Sequence, residues 1–264
     1  MRPGRFRVGN SGECFARSNR IQHGRGLRDG FIATPAGRDR GGSMGEQSDI
    51  VRKRYNRIAP LYDLMERPME SHGTQWRDEL LQEAHGRVLE VGVGTGKNLA
   101  SYPKGVHVTG IDFSSGMIAR ARERVRELGL TNVTLIEMDA EQMEFSDDSF
   151  DTVVTTCVFC SVPVPIKGLE EIHRVCRPEG KVLMLEHVRS KGAILGPIMD
   201  FLNPLPLHLY GANINRRTVE NLRLAGFKDI EVTDLWKDIM KRIVARPYKT
   251  SDKSFDFIWE VTNA

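Results

Sequence analysis

Residues 88–96 read VLEVGVGTG, and this one turn limits what the chain can fold into more than any other stretch of it. Aliphatic residues lead into Glu90, after which Gly92, Gly94 and Gly96 alternate with Val93 and Thr95. Such an apolar run is what a strand buried on both faces requires. Glycines directly after it let the backbone turn tightly and approach a ligand. The spacing is E-x-G-x-G-x-G. A dinucleotide loop, G-x-G-x-x-G, would need its last glycine where Lys97 stands. An acid inside the motif disfavours a pyrophosphate and suits a ligand that carries positive charge.

The sequence that follows has the pattern of an open α/β sheet. Val106–Asp112 alternates and ends in an acid 20 residues after Gly92, a place that suits the two hydroxyls of a ribose. Ser114 is placed to cap a helix in which Met117, Ile118, Ala121, Val125 and Leu128 recur at helical spacing. Val133–Asp139, Ser149–Thr156 and Gly180–His187 read as the third to fifth strands, and residues 227–247 as a terminal pair of alternating strands.

Taken in order, LEVGVGTG, GIDFSSGMIARAR, MDAEQMEFSDDSFDTVV and LEEIHRVCRPEGKVLMLEH resemble the class I S-adenosylmethionine-dependent methyltransferases. The resemblance runs over residues 50–246. It implies an α/β fold: a doubly wound, Rossmann-like, seven-stranded sheet with its last strand antiparallel. It also implies S-adenosylmethionine as cofactor. Glu90, Gly92, Gly94, Thr95 and Gly96 would hold the methionine part. Asp112 would take the ribose, with Phe113 beside it. Asp139 and Ala140 would flank the adenine edge, and Met117 would pack on the ring. Thr156 and Cys157, in the turn after the fourth strand, would complete the set near the reaction point. The charges agree, because carboxylates attract a sulfonium and an ammonium and repel phosphates. A nicotinamide oxidoreductase and a non-catalytic cofactor-binding module are the readings from other classes. Glu90 and Lys97 speak against the first.

The net charge of +3 conceals a division. Residues 1–43 hold nine arginines, no lysine and three acids, a net of +6 that leaves the remainder at −3. The remainder therefore lacks a nucleic-acid footprint. Residues 1–43 also hold nine glycines and no periodic apolar pattern, and read as disordered. Met44 precedes a helix start, so functional protein is expected to begin near it; an Arg-rich transit peptide is the alternative. The expected organisation is an extension over 1–43, lid helices over 44–85, a cofactor domain over 86–246 with an apolar insert at 190–215, and a tail over 247–264. Cys157 and Cys160 form a C-x-x-C without a second pair or a histidine cluster. They read as structural thiols in a reducing cytoplasm, and no metal is expected.

The acceptor is expected to be chosen by the flanks. Residues 46–65 read as a helix broken near Pro60 and capped by Ser48 or Asp49. Ile50, Val51, Tyr55, Ile58 and Tyr62 line one side, with Arg52, Lys53, Arg54 and Arg57 elsewhere. This is a helix packed on the domain with a solvated basic face, or a lid that also touches anionic lipid. RYNRIAPLYDLM resembles the segment before the glycine loop in quinone-biosynthesis C-methyltransferases and bacterial phospholipid N-methyltransferases, which implies that Tyr55 and Tyr62 sit over the cofactor. Residues 193–210 are mostly apolar but are broken by Pro197, Pro204 and Pro206. They read as a helix–loop packed on the core, an apolar wall for a greasy acceptor, or a loop that dips into a membrane. Residues 158–190 and GANINRRT also resemble animal membrane-associated thiol methyltransferases.

Tyr210, Asn213, Arg216 and Arg217 are the substrate-side candidates, the arginines through a fork to phosphate. Alternatively, Asn215 caps the next helix and the arginines are solvated. Tyr55, Tyr62 and His187 are the catalytic candidates, and among them His187 has an ordinary pKa near neutrality. The expected activity is methyl transfer to a small-molecule or lipid acceptor. The amine of a phosphatidylethanolamine-type phospholipid comes first, and a quinone-precursor carbon or a small thiol is the alternative. The expected place is the cytoplasm, peripheral at the inner membrane surface through 46–65 and 193–210, without nucleic acid. The oligomeric state is left open.

Overall fold

Strands that are apolar at successive positions must be covered on both sides. The computed structural model, which describes residues 44–66 and 70–249, meets that demand with one seven-stranded sheet. Before it come α1 (Met44–Ile58), a 3₁₀ turn (Ala59–Leu61), α2 (Tyr62–Glu66) and α3 (Glu70–Leu81). Then follow β1 (Arg87–Val91), β2 (His107–Asp112), α4 (Ser115–Glu127), β3 (Val133–Glu137), β4 (Phe150–Thr156) and α5 (Pro165–Val175). The chain continues through β5 (Cys176–His187), α6 (Leu195–Leu202), α7 (Pro204–Tyr210), α8 (Thr218–Leu224), β6 (Asp229–Trp236) and β7 (Met240–Arg246). The expected extension over 1–43 and the tail from residue 250 lie outside the described residues.

The strand order is β3-β2-β1-β4-β5-β7-β6. All pairings from β3 to β5 are parallel, and β7 is antiparallel to both β5 and β6. The period of two distributes side chains to two cores. Leu89, Val91, Val153, Val182 and Met184 join one cluster with Leu169, Ile172 and Phe227. Val88, Val154, Leu183 and Leu185 join the other with Leu80, Leu81 and Ile118. The chain leaves β1 toward β2 on one side and β4 toward β5 on the other. A crevice therefore opens at the carboxyl ends of β1 and β4, the place where open α/β sheets bind ligands.

Ser114 caps α4 as expected, its hydroxyl accepting from the Met117 amide at 3.2 Å, and Met117, Ile118 and Ala121 are buried. Leu128, by contrast, lies past the end of that helix and is exposed. Residues 44–47 are already helical, so Ser48 and Asp49 stand inside α1 and cap nothing; Asp49 accepts from Arg52 instead. On that helix Val51 is buried, whereas Ile50 faces solvent. The break near Pro60 is the 3₁₀ turn. β5 starts earlier than the expected Gly180, pairing Cys176 with Phe150 across an irregularity. The 193–210 stretch is two helices divided at Asn203, with Pro204 and Pro206 in the first turn of α7, where a missing amide is tolerated. No helix of the described residues is long and apolar enough to cross a membrane.

Candidate functional site

The glycine turn is fixed by backbone and carboxylate together. Asp112, at the end of β2, accepts from the Gly94 amide at 3.0 Å and from the Ser114 amide at 2.9 Å. Gly92 and Gly94 both have left-handed φ, +69° and +54°. A Cβ on Gly92 would come within 2.5 Å of Val158, so β1 and the turn after β4 approach each other only because no side chain intervenes. At Gly94 a Cβ would meet no heavy atom within 4 Å. That open space is the cleft.

The cleft is open to solvent, and its empty space, the open mouth included, is about 700 Å³. Ile111, Met117, Met138 and Ala140 give it apolar and sulfur-bearing walls, and Asp112 and Asp139 give it carboxylates. Phe113, Thr156 and Cys157 also line it, with Tyr55 and Tyr62 from the N-terminal helices. The structure thus brings together nine of the expected cofactor residues, Gly92, Gly94, Asp112, Phe113, Met117, Asp139, Ala140, Thr156 and Cys157. Mostly apolar walls and a few convergent polar groups are general marks of a small-molecule site. Burial pushes the Asp112 carboxyl up to about 6, against the two amides that favour its charged form. A ligand that brings hydroxyl donors would restore what burial removes. S-adenosylmethionine, a sulfonium nucleoside with two ribose hydroxyls, fits this donor set.

Three expected cofactor residues lie outside the lining. Glu90 is fully buried, and both of its oxygens are engaged: Asn98 Nδ2 donates at 2.7 Å and the Tyr102 hydroxyl at 2.9 Å. The period of two explains this, since Glu90 shares its side of β1 with Val88. Asn98 also donates to Thr156 Oγ1 at 3.0 Å, so this network braces β1 against the end of β4. Burial pushes the Glu90 carboxyl up to about 7, while Tyr102 and Asn98 pull it down. Thr95 donates to Asp63 at 2.6 Å, and Gly96 packs against Leu99 and Ala121.

The helices before β1 cover the cleft through polar attachments that no local pattern announces. Asn56 Oδ1 accepts from Ser114 Oγ at 2.6 Å and from the Gly116 amide at 3.0 Å, so α1 meets the start of α4. Asp63 accepts from Thr95 and, at 2.7 Å, from Arg124. Burial opposes its charge, but those hydrogen bonds hold the Asp63 carboxyl below its usual range. The Tyr55 ring packs on Tyr62 and Phe113, with centroids 6.2 Å and 5.9 Å away. Its hydroxyl is 2.5 Å from Ser161 Oγ.

Across the cleft stands the turn that follows β4, lined by Cys157, Val158, Ser161, Val162 and Pro163. Glu186, buried at the end of β5, accepts from Thr155 Oγ1 at 2.9 Å and from the Val158 amide at 3.2 Å. Burial pushes its carboxyl up to about 7. Asn213 donates to the Cys160 carbonyl from its amide at 2.8 Å, and Arg216 to the Val162 carbonyl at 2.7 Å. Arg216 is half-buried with one guanidinium nitrogen committed to that carbonyl, and burial lowers its pKa. Arg217 is exposed and begins α8. Asn215 donates to Asp200 and caps nothing. The Tyr210 side chain lies outside the described residues. His187 is not in the cleft: it is largely buried, is hydrogen-bonded to the backbone of Ile214, and has its pKa lowered by that burial. His187 therefore does not stand at the reaction point that its position suggested. Neither Cys157 nor Cys160 is in a disulfide, and burial pushes the Cys160 thiol up to about 11. Among the described residues no cluster of histidine, cysteine and acidic side chains is arranged to hold a metal.

The methyltransferase domain family matches residues 89–184. A phosphatidylethanolamine N-methyltransferase of Cereibacter sphaeroides is 42% identical over 165 residues, 61% of this chain and 81% of that protein. A ubiquinone/menaquinone biosynthesis C-methyltransferase of Citrifermentans bemidjiense is 34% identical over 154 residues, 54% of this chain and 66% of that protein. Among solved structures, a phosphoethanolamine N-methyltransferase of Haemonchus contortus in complex with S-adenosyl-L-methionine has a TM-score of 0.54 at 19% identity, covering 66% of this chain and 52% of that one. A putative methyltransferase of Bacillus halodurans has a TM-score of 0.55 at 17% identity, covering 66% and 99%. These structural likenesses are of fold.

Two outcomes test the site. Gly94→Arg, which points a side chain into open space, should abolish S-adenosylhomocysteine binding in calorimetry while the protein stays folded, its left-handed backbone at 94 costing about 1–2 kcal/mol of stability. Binding at wild-type strength would place the ligand elsewhere. Glu90 has a raised folded-state pKa, so its contribution to stability is complete below the ordinary carboxyl range and is lost as pH rises through about 7. Wild type should lose on the order of 2–3 kcal/mol more than Glu90→Gln between pH 5 and pH 8. Parallel stability curves for the two proteins would show that Glu90 does not titrate there.

Proposed function

The chain belongs to the class I S-adenosylmethionine-dependent methyltransferases, and we propose that it methylates the amine of a phosphatidylethanolamine-type phospholipid at a membrane surface. The observation that carries this reading is the 42% identity to a phosphatidylethanolamine N-methyltransferase across 81% of that protein. When bound, S-adenosylmethionine supplies an electrophilic methyl group on a sulfonium that leaves as a neutral thioether. The chain's residues have to hold donor and acceptor in line, exclude water and let the acceptor lose a proton.

In this reading Asp112 takes the ribose hydroxyls, Asp139 and Ala140 flank the base, and Met117 packs on it. Tyr55 and Tyr62 cover the donor. No near-neutral base is needed in the cleft. Apolar walls such as Ile111, Met138, Val158 and Val162 disfavour an ammonium, so the amine enters as the neutral nucleophile after losing its proton to water. This favours an amine over a quinone-precursor carbon, whose activation calls for a base, because His187 is turned to Ile214.

The apolar face of α6 and α7 supports a lipid acceptor. Ile194, Ile198, Phe201, Leu202, Leu205 and Leu209 are exposed, Phe201 at 83%. An exposed concentration of this kind marks an interaction surface, and here the interfacial layer of a membrane fits it. Arg54 of α1 donates to the Leu207 carbonyl at 2.6 Å, which joins the basic helix to that face. Arg217, exposed near Asp200 of α6, is the guanidinium available to a headgroup phosphate. The protein would then work peripherally at the inner membrane surface.

Incubation with S-adenosylmethionine labelled in its methyl group and a total lipid extract tests this directly. Label should appear in the organic phase as methylated phosphatidylethanolamine. Label confined to the aqueous phase, or carried by a quinone or a small thiol, would refute the acceptor.

A further inference from the structure

Among the described residues the N-terminal helices reach the rest of the domain through Asn56, Asp63, Arg54 and Tyr55; Arg54 meets the Leu207 carbonyl of α7, and the Tyr55 attachment differs in kind. Asn56 reaches the start of α4, and Asp63 reaches Thr95 and Arg124. Both of those attachments are to the donor side, the glycine turn and the helix after β2. The Tyr55 attachment crosses the cleft: the Tyr55 hydroxyl meets Ser161 Oγ at 2.5 Å, and Ser161 belongs to the turn that follows β4.

That turn is held at Ser161's neighbours and not at the Ser161 side chain. The Cys157 amide donates to the Leu185 carbonyl at 2.8 Å, Glu186 holds the Val158 amide, Asn213 holds the Cys160 carbonyl and Arg216 the Val162 carbonyl. Ser161 Oγ, between two pinned carbonyls, faces the cleft and the lid, with Cys160 Sγ at 3.5 Å. Tyr55 in turn is fixed by its ring contacts with Tyr62 and Phe113, so its hydroxyl arrives at Ser161 only when the lid lies over Phe113 and the donor pocket.

We propose that Tyr55 and Ser161 form a latch through which closure of the lid over the methyl donor sets the turn at residues 157–163, which makes Ser161 a positioning residue for the acceptor. The latch rests on the methyltransferase reading but not on the identity of the acceptor. It carries a thermodynamic consequence. If donor and acceptor sites are coupled through this hydrogen bond, each ligand strengthens the other by the same factor, and removing the bond removes the coupling. Donor affinity itself changes little, because Asn56 and Asp63 still hold the lid.

Amide hydrogen exchange with S-adenosylhomocysteine as the only ligand tests the latch in the full chain. In wild type, the ligand should slow exchange both in the lid, residues 50–66, and at 157–163, the latter by about tenfold. Tyr55→Phe keeps the ring and removes the hydroxyl; Ser161→Ala removes the partner. Each should bind S-adenosylhomocysteine within about threefold of wild type and keep the slowing in the lid, while the slowing at 157–163 falls below about twofold. The double variant should be no worse than either single one, as expected for two halves of one interaction. Ser161→Thr, which retains a hydroxyl, should restore the response. Protection of 157–163 that persists in both single variants, or effects that add in the double variant, would overturn the latch. A wild type that binds no S-adenosylhomocysteine would overturn the donor reading as well, and the two failures are thereby distinguished.

Discussion

One carboxylate ties the ends of two strands and the start of a helix into a single rigid corner. Asp112 takes an amide from the glycine turn after β1 and another from the cap of α4. Everything that shapes the cleft is referred to that corner. Gly92 lets the turn after β4 come close, Ser114 fixes the axis of α4, and Asn56 then docks α1 on the same cap. Both hydrogen bonds run from neutral donors to a charged acceptor, the stronger kind. They still do not repay the loss of water, since burial holds the carboxyl near 6. The fold keeps a carboxylate in a setting where further donors would be welcome, a strained arrangement that a ligand with hydroxyls relieves.

A division of labour among the acids follows from the sheet. Asp112 ends β2 at the cleft, whereas Glu90 on β1 and Glu186 on β5 are buried behind it and brace backbone: the first through Asn98 and Tyr102, the second through Thr155 and Val158. Each of these carboxyls is shifted toward neutrality by burial. Such groups cost stability when ionised. They are placed where small displacements of β1 and of the turn after β4 would misalign donor and acceptor.

Much of the fold was legible because its signals are local. An apolar run located the first strand, alternation the second and the terminal pair, the E-x-G-x-G-x-G spacing located the turn, and Ser114 announced a helix start. The nine cleft residues follow from those elements, since they sit at strand ends, in the turns after them and, for Met117, in the first turn of α4. What the sequence concealed is direction and distance in space. Glu90 was expected at the ligand, yet its parity with Val88 sends it to the opposite side, and parity alone does not say which face holds the cleft. His187 is hydrogen-bonded to the backbone of Ile214, a partner 27 residues away that no local pattern marks. The arginine pair after α7 splits, because Arg216 finds a carbonyl 54 residues away in sequence and Arg217 does not. Asn56, Asp63, Asn98 and Ser161 act through partners that are distant in sequence or that no motif marks, so no window of residues could reveal them. Ser48 and Asp49 looked like caps only because residues 44–47 offered no apolar periodicity with which to extend the helix.

The central claim is that the corner around Asp112 binds a sulfonium nucleoside and not a dinucleotide. Calorimetric titration of the wild-type chain with S-adenosylhomocysteine and with NAD, in separate runs, tests it most directly. S-adenosylhomocysteine should bind at micromolar strength and NAD should give no binding heat. Binding of NAD, with none of S-adenosylhomocysteine, would contradict the account.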